Sequence, residues 1–128
     1  MMLANSPVIP MLPATDLDRA RNFYEQTLGL NVVMEIPSGL VFGAGSGTGI
    51  GVYQRGPTKA DHTVASFQVE DVEAEVNALT AKGVKFEQYN MEFGPRTNSL
   101  GIAEDPSGGK AAWFQDTEGN IIAIVQTP

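Results

Sequence analysis

The chain has 128 residues and no cysteine, the size of one domain able to bury its own core without disulfide staples. Its formal net charge of -7, with only eight Lys and Arg, argues against a nucleic-acid partner, which would need clustered cations to displace counterions from phosphate. No run approaches the roughly 20 apolar residues of a membrane helix, and "MMLANSPVIP" has neither a cationic start nor a long apolar stretch, so no membrane partner and a cytoplasmic location are expected.

In chain order, the first strand is expected in "VIPML". The first helix follows in "PATDLDRARNFYEQTLGL", where Asp16 is an acidic cap, Thr15 and Asp18 also fit a capping box and Gly29 marks the end. Three strands come next, "NVVMEI", "GLVFGA" and "GIGVYQ", rich in β-branched and aromatic residues and bounded by Gly, Asn and Ser. "RGPTKAD" reads as a linker. Beyond it "TVASFQV" is a strand, and "VEDVEAEVNALTAKGV" a second helix with Val72, Val76 and Leu79 at helical spacing. The acids Glu70, Asp71, Glu73 and Glu75 suit its N-terminal dipole. Strands are expected in "VKFEQY", "KAAWFQ" and "NIIAIVQ". Between the first two of these lies "NMEFGPRTNSLGIAEDPSGG", too long for a bare connection in a compact domain and read as a lid or binding loop that carries Met91 and Phe93.

The two halves superpose: Asp16 falls on Asp71, Leu17 on Val72, Asp18 on Glu73, Asn22 on Asn77 and, with one gap, Gly29 on Gly83. The expected architecture is α+β, one domain over 1–128 built of two βαβββ modules, 8–57 and 63–127, joined by a linker at 56–62.

"VIPMLPATDLDRARNFYEQTLGL", with its "FY…LG" ending, and "WFQDTEGNIIAIVQ", with its "FxDxxGN" turn, resemble the vicinal oxygen chelate superfamily, which includes glyoxalases, bleomycin resistance proteins and extradiol dioxygenases. The resemblance implies two modules whose strands curl into a cupped mixed sheet, and in the enzymes a divalent metal held from the first and last strands of each module. Carried over, those positions are Ile9, Val52, Val64 and Ala123. None offers a lone pair to a cation. The single His, His62, sits beside the linker and reads as solvated. No metal and no cofactor are therefore expected. "GAGSGTGIG" lacks the GxGxxG spacing and precedes a strand, and no GxSxG elbow or thiol is present. No motif indicates a catalytic residue. Glu104 and Asp105 read as surface acids.

Strand parity extends the cavity lining expected from the resemblance. Ile121 and Val125 accompany Ala123, while Ile122 and Ile124 turn toward the helices. Met11 accompanies Ile9, Ile50 and Gln54 accompany Val52, and Ser66 and Gln68 accompany Val64. The resemblance puts Phe114 under the helices, so Trp113 faces in, and Phe42, laid over Trp113, is expected to mirror it. The implied ligand-binding set is Ile9, Met11, Phe42, Val52, Gln54, Val64, Ser66, Met91, Trp113 and Ala123. This wall is apolar and aromatic with a few amides and hydroxyls, as in small-molecule sites.

The resulting expectation is a metal-independent binding protein of the bleomycin resistance type, sequestering or carrying a small organic molecule for which a cationic aromatic character is one option. The alternative is a glyoxalase-like lyase or isomerase acting without metal, and a third reading is a dimer module with no ligand. A homodimer is expected from the way the superfamily pairs its modules.

Overall fold

The computed structural model describes residues 3–128. In chain order its elements are β1 (Met11–Ala14), α1 (Leu17–Asn22) continued by a π-helical turn (Phe23–Thr27), β2 (Asn31–Ile36), β3 (Gly39–Gly43), β4 (Gly49–Gln54), β5 (Thr63–Gln68), α2 (Val72–Ala81), β6 (Ile102–Glu104), β7 (Lys110–Gln115) and β8 (Ile121–Gln126). They fall into two compact units, one ending at Thr58 and the other running from Lys59 to Pro128.

Each unit contains a four-stranded mixed sheet, ordered β1-β4-β3-β2 in the first and β5-β8-β7-β6 in the second. The first and last strands of each unit lie parallel, β1 with β4 and β5 with β8, and the remaining pairs are antiparallel. The helices start alike. Asp16 accepts a hydrogen bond from the Arg19 amide and Asp71 one from the Ala74 amide, each satisfying an orphan donor of the first turn. Both helices thus begin at the acidic caps expected, with Asp16, not Thr15 of the capping-box reading, as the N-cap of α1. After α2, Gly83 takes a positive φ of 95°, and the Gly83 and Val84 amides fold back onto the Thr80 and Leu79 carbonyls, which ends the helix.

One face of each sheet is buried against its helix. In the first unit Leu12, Phe42, Ile50 and Val52 are nearly inaccessible, and the Phe42 ring stacks on Tyr24 at 5.3 Å. In the second, Ala112, Phe114, Ile122 and Ile124 play the same part beneath α2, and Phe86 meets Phe114 edge-on at 5.5 Å. Ile122 and Ile124 thus turn toward the helix as parity required.

The turn between β7 and β8 is braced from inside. Oδ1 of buried Asp116 accepts hydrogen bonds from the Glu118 and Asn120 amides, and its Oδ2 accepts one from the Asn120 side-chain amide at 2.8 Å. Gly119 supplies the left-handed step at φ 85°. The "DxxGN" wording is thereby explained as turn chemistry.

Two expectations are corrected. Residues 84–89 form no strand: they contribute a single bridge, Phe86 with Phe114, and the Glu87 amide donates to the Trp113 carbonyl. The edge of β7 is instead completed by β6, drawn from the stretch read as a lid, with Ile102 opposite Ala112 and Glu104 opposite Lys110. The physical reason is visible in the other unit. There β2 pairs continuously with β3 except for a bulge between Val32 and Met34, and the matching gap in the second unit has opened into the excursion 88–101.

Candidate functional site

The side chains of the second sheet alternate. Phe114, Ala112 and Ile124 face α2, so Trp113 and Ala111 of β7, Ala123 and Val125 of β8, Ser66 of β5 and Ala103 of β6 face the other way. Trp113 lies directly opposite Ala123, and Ala123 directly opposite Ser66. The indole stands half-buried among small neighbours.

The excursion folds back beside this face as an irregular hairpin. Thr97 ties it together: its hydroxyl accepts from the Tyr89 amide and donates toward the Gln88 side chain, while its own amide donates to the Tyr89 carbonyl. Tyr89 is thus set edge-on to Trp113, with ring centroids 5.4 Å apart at 76°. Burial, and secondarily the Glu87 carboxylate, pushes the Tyr89 phenol above its ordinary value.

Between excursion and sheet opens a pocket of about 580 Å³, within the size range of small-molecule sites. Trp113, Ala111, Val125 and Ala103 line its sheet side, Pro95 and Arg96 its excursion side. Asp105 lines its end. The Asp105 carboxylate accepts from the Ser107 hydroxyl and from the Ser107 and Gly109 amides, and these bonds, the Ser107 hydroxyl first, hold it below the usual carboxylate range. Asp105 is therefore an ionised turn brace and a poor proton acceptor at neutral pH.

Trp113 and Val125, the latter expected beside Ala123, are among the residues that line this pocket. Ala123 and Ser66 lie on the same face as Trp113, and Val64 sits half-buried at a register shift in β5. Met91 lies at the excursion's turn against Gly94, half-exposed and outside the pocket lining, and Phe93 is 94% exposed at the tip.

In the first unit the expected lining is wrong by one residue. Phe42 pairs with Ile50 as Phe114 pairs with Ile122, so Phe42 matches Phe114 and not Trp113. Phe42, Ile50 and Val52 consequently face α1, and the Gln54 side chain donates to the Thr15 carbonyl, as Gln126 accepts from the Val72 amide in the second unit. A one-residue slip in a strand moves every side chain to the opposite face. The counterpart of Ala123 is Gly51, and Met11 lies opposite it with its sulfur over the glycine. Ile9 precedes β1 and is 40% exposed.

Arg96, Pro95, Ala103 and Ala111 were not anticipated. Ala111 was legible, because it stands two residues before Trp113 in a strand whose limits were clear. Arg96 had no signal beyond its place in an overlong connection.

The family's metal positions, corrected to Ile9, Gly51, Val64 and Ala123, carry no donor side chain. Among the described residues no three His, Cys, Asp or Glu cluster to hold an ion. These residues do not fit a divalent metal. Elemental analysis of protein purified without chelator is expected to find Zn, Ni, Fe and Mn well below one equivalent. A full equivalent of tightly held metal would overturn this reading of the donor set.

The family model for the Glyoxalase/Bleomycin resistance protein/Dioxygenase superfamily matches residues 8–124. The chain belongs to this superfamily. TnmS3, an antibiotic binding protein from Streptomyces sp. CB03234, is similar in structure with a TM-score of 0.73, 22% identity and 100% coverage of both chains. A lactoylglutathione lyase from Agrobacterium tumefaciens has a TM-score of 0.72 at 18% identity, with 98% of this chain and 96% of that one covered. A glyoxalase/bleomycin resistance protein from Streptomyces sp. CB03234 has a TM-score of 0.65 at 24% identity, with 93% and 98% covered. No curated protein matches the sequence with significance. At these identities the superfamily likeness speaks for the fold, and the ligand must be argued from the residues.

Proposed function

We propose that this superfamily member binds a small organic molecule in the pocket of its second unit, against Trp113, without a divalent metal. The observation that carries the reading is a half-buried indole on a floor of small side chains, open to a pocket of about 580 Å³. The similarity in fold to an antibiotic binding protein supports it. A metal-free lyase or isomerase would need a proton acceptor in the same pocket, where Asp105 is already engaged by its own turn and Glu104 belongs to the opposite face of β6 from Ala103.

Trp113 is the only tryptophan, so intrinsic fluorescence reports on this pocket with no other indole in the background. A screen of aromatic compounds followed by Trp113→Ala tests the reading. The substitution is expected to weaken binding about tenfold or more, because truncating an aromatic anchor commonly costs at least 1–2 kcal/mol. A compound that binds the variant equally well and leaves the wild-type emission unaltered would refute it.

The protein is further read as a homodimer, because Met11, Val33 and Met34 leave apolar surface exposed on the first unit. Sedimentation at micromolar concentration is expected to show a dimer, and a monomer throughout would count against this.

A further inference from the structure

We infer that the ligand of this pocket is a planar aromatic molecule carrying an anionic oxygen at its edge, stacked on Trp113 and held by the Arg96 guanidinium. The inference rests on the binding reading above and narrows it to a chemical class.

The floor comes first. Ala103, Ala111 and Val125 stand beside Trp113 with little relief, so a flat ring can approach the indole closely. Tyr89 already meets the indole edge-on from the excursion, so a ring entering the pocket completes an aromatic cluster and does not begin one.

The charges decide the sign of the ligand. Glu104 and Lys110 border the pocket, but they stand opposite one another in the ladder, and Lys110 opposite Gln126, on the α2 side of the sheet. Their side chains therefore alternate away from the Trp113 face. Asp105 keeps its negative charge at the pocket's end, where the Ser107 hydroxyl and the Ser107 and Gly109 amides solvate it. On the excursion side the charged residue is Arg96. Its Nε donates to the Met91 carbonyl at 3.2 Å, and its two Nη groups have no protein acceptor among the described residues. An exposed arginine on the wall of a pocket with an aromatic floor suits a carboxylate or phenolate at the edge of a ring, and opposes a cationic substituent at the same place. The net charge of -7 acts the other way. Charges farther than roughly 8 Å are largely screened at physiological salt, so the local charge on the excursion side, that of Arg96, counts for more there than the net charge of the chain.

The test uses the full chain at physiological salt and three probes of one shape: 2-naphthoate, 2-naphthamide and 2-naphthylmethylammonium. Binding is followed by the indole N–H resonance of Trp113. Naphthoate is expected to bind about tenfold more tightly than the amide, as charge-assisted hydrogen bonds are worth more than neutral ones, and the ammonium is expected to bind worst. Arg96→Gln should erase the difference between naphthoate and amide without lowering the melting temperature. Arg96→Lys should restore only part of it. If naphthoate binds no better than the amide, or keeps its advantage in Arg96→Gln, the charge assignment is wrong and the aromatic site stands. If none of the three probes moves the indole resonance, the site itself is refuted and the assignment falls with it.

Discussion

Phe42→Ala is expected to destabilise the protein by about 3–5 kcal/mol, the usual cost of removing a buried phenylalanine ring. Phe42 is fully inaccessible and stacks on Tyr24 at 5.3 Å, so its loss removes both the apolar burial and the ring contact and leaves a cavity beneath α1. Against a total stability of roughly 5–15 kcal/mol this is a large fraction. Urea denaturation should show a midpoint far below wild type. Trp113→Ala makes the informative contrast, because the half-buried indole faces the pocket and its removal should cost ligand binding more than stability. A loss under about 1 kcal/mol for Phe42→Ala would mean that the ring faces away from the helix and that the assignment of sheet faces is inverted, since core truncations cost several times more.

Asn120→Ala is expected to cost about 2–4 kcal/mol, more than its size suggests. Asn120 is 1% exposed, and its side-chain amide donates to Asp116, itself 7% exposed. Alanine would remove that donor and leave a buried carboxylate short of a hydrogen bond, a penalty larger for a charged acceptor than for a neutral one. The hydrogen bonds from the Glu118 and Asn120 amides to Asp116 would remain, which bounds the effect. Amide exchange between β7 and β8 gives the sharpest measurement, since weakening the turn should speed exchange there before it affects β1. Unchanged exchange at Gln115 and Ile121 would rule out the brace.

Much of this fold was legible in the residues. The limits of Asn31–Ile36, Gly49–Gln54 and Lys110–Gln115 are those expected from β-branched and aromatic runs between glycines and turn residues. Asp16, Asp71 and Gly83 announced the helix ends through chemistry that only a few residue types perform. The site was harder to read for two physical reasons. Laying Phe42 over Trp113 slipped the first unit by one residue, and because the period of a strand is 2, Val52 and Gln54 went to the wrong face with it. Gln54 and Gln126, which both tie their strand ends to the start of a helix, were the better anchor. The second reason is that edge pairing depends on partners distant in sequence. "VKFEQY" has strand-like composition, yet after Glu87 the chain leaves β7, and "IAE" inside an apparent loop takes the place. Arg96 reaches the pocket only through that rearrangement.

The interrupted edge of β7 also bears on how such a chain can diversify. The segment that supplies Tyr89, Pro95 and Arg96 leaves the ladder after Glu87 and rejoins it at Ile102, entering and leaving through one gap. Such a gap works as a socket. Residues can be added or exchanged in it without breaking a ladder hydrogen bond, and each doubling of loop length costs only about 0.6 kcal/mol in closure entropy. The other unit keeps the same place shut with a one-residue bulge. Duplication thus supplied two copies of one frame, and a single point on one copy can be rewritten for a new ligand while the helices, caps and core beneath it stay as they are.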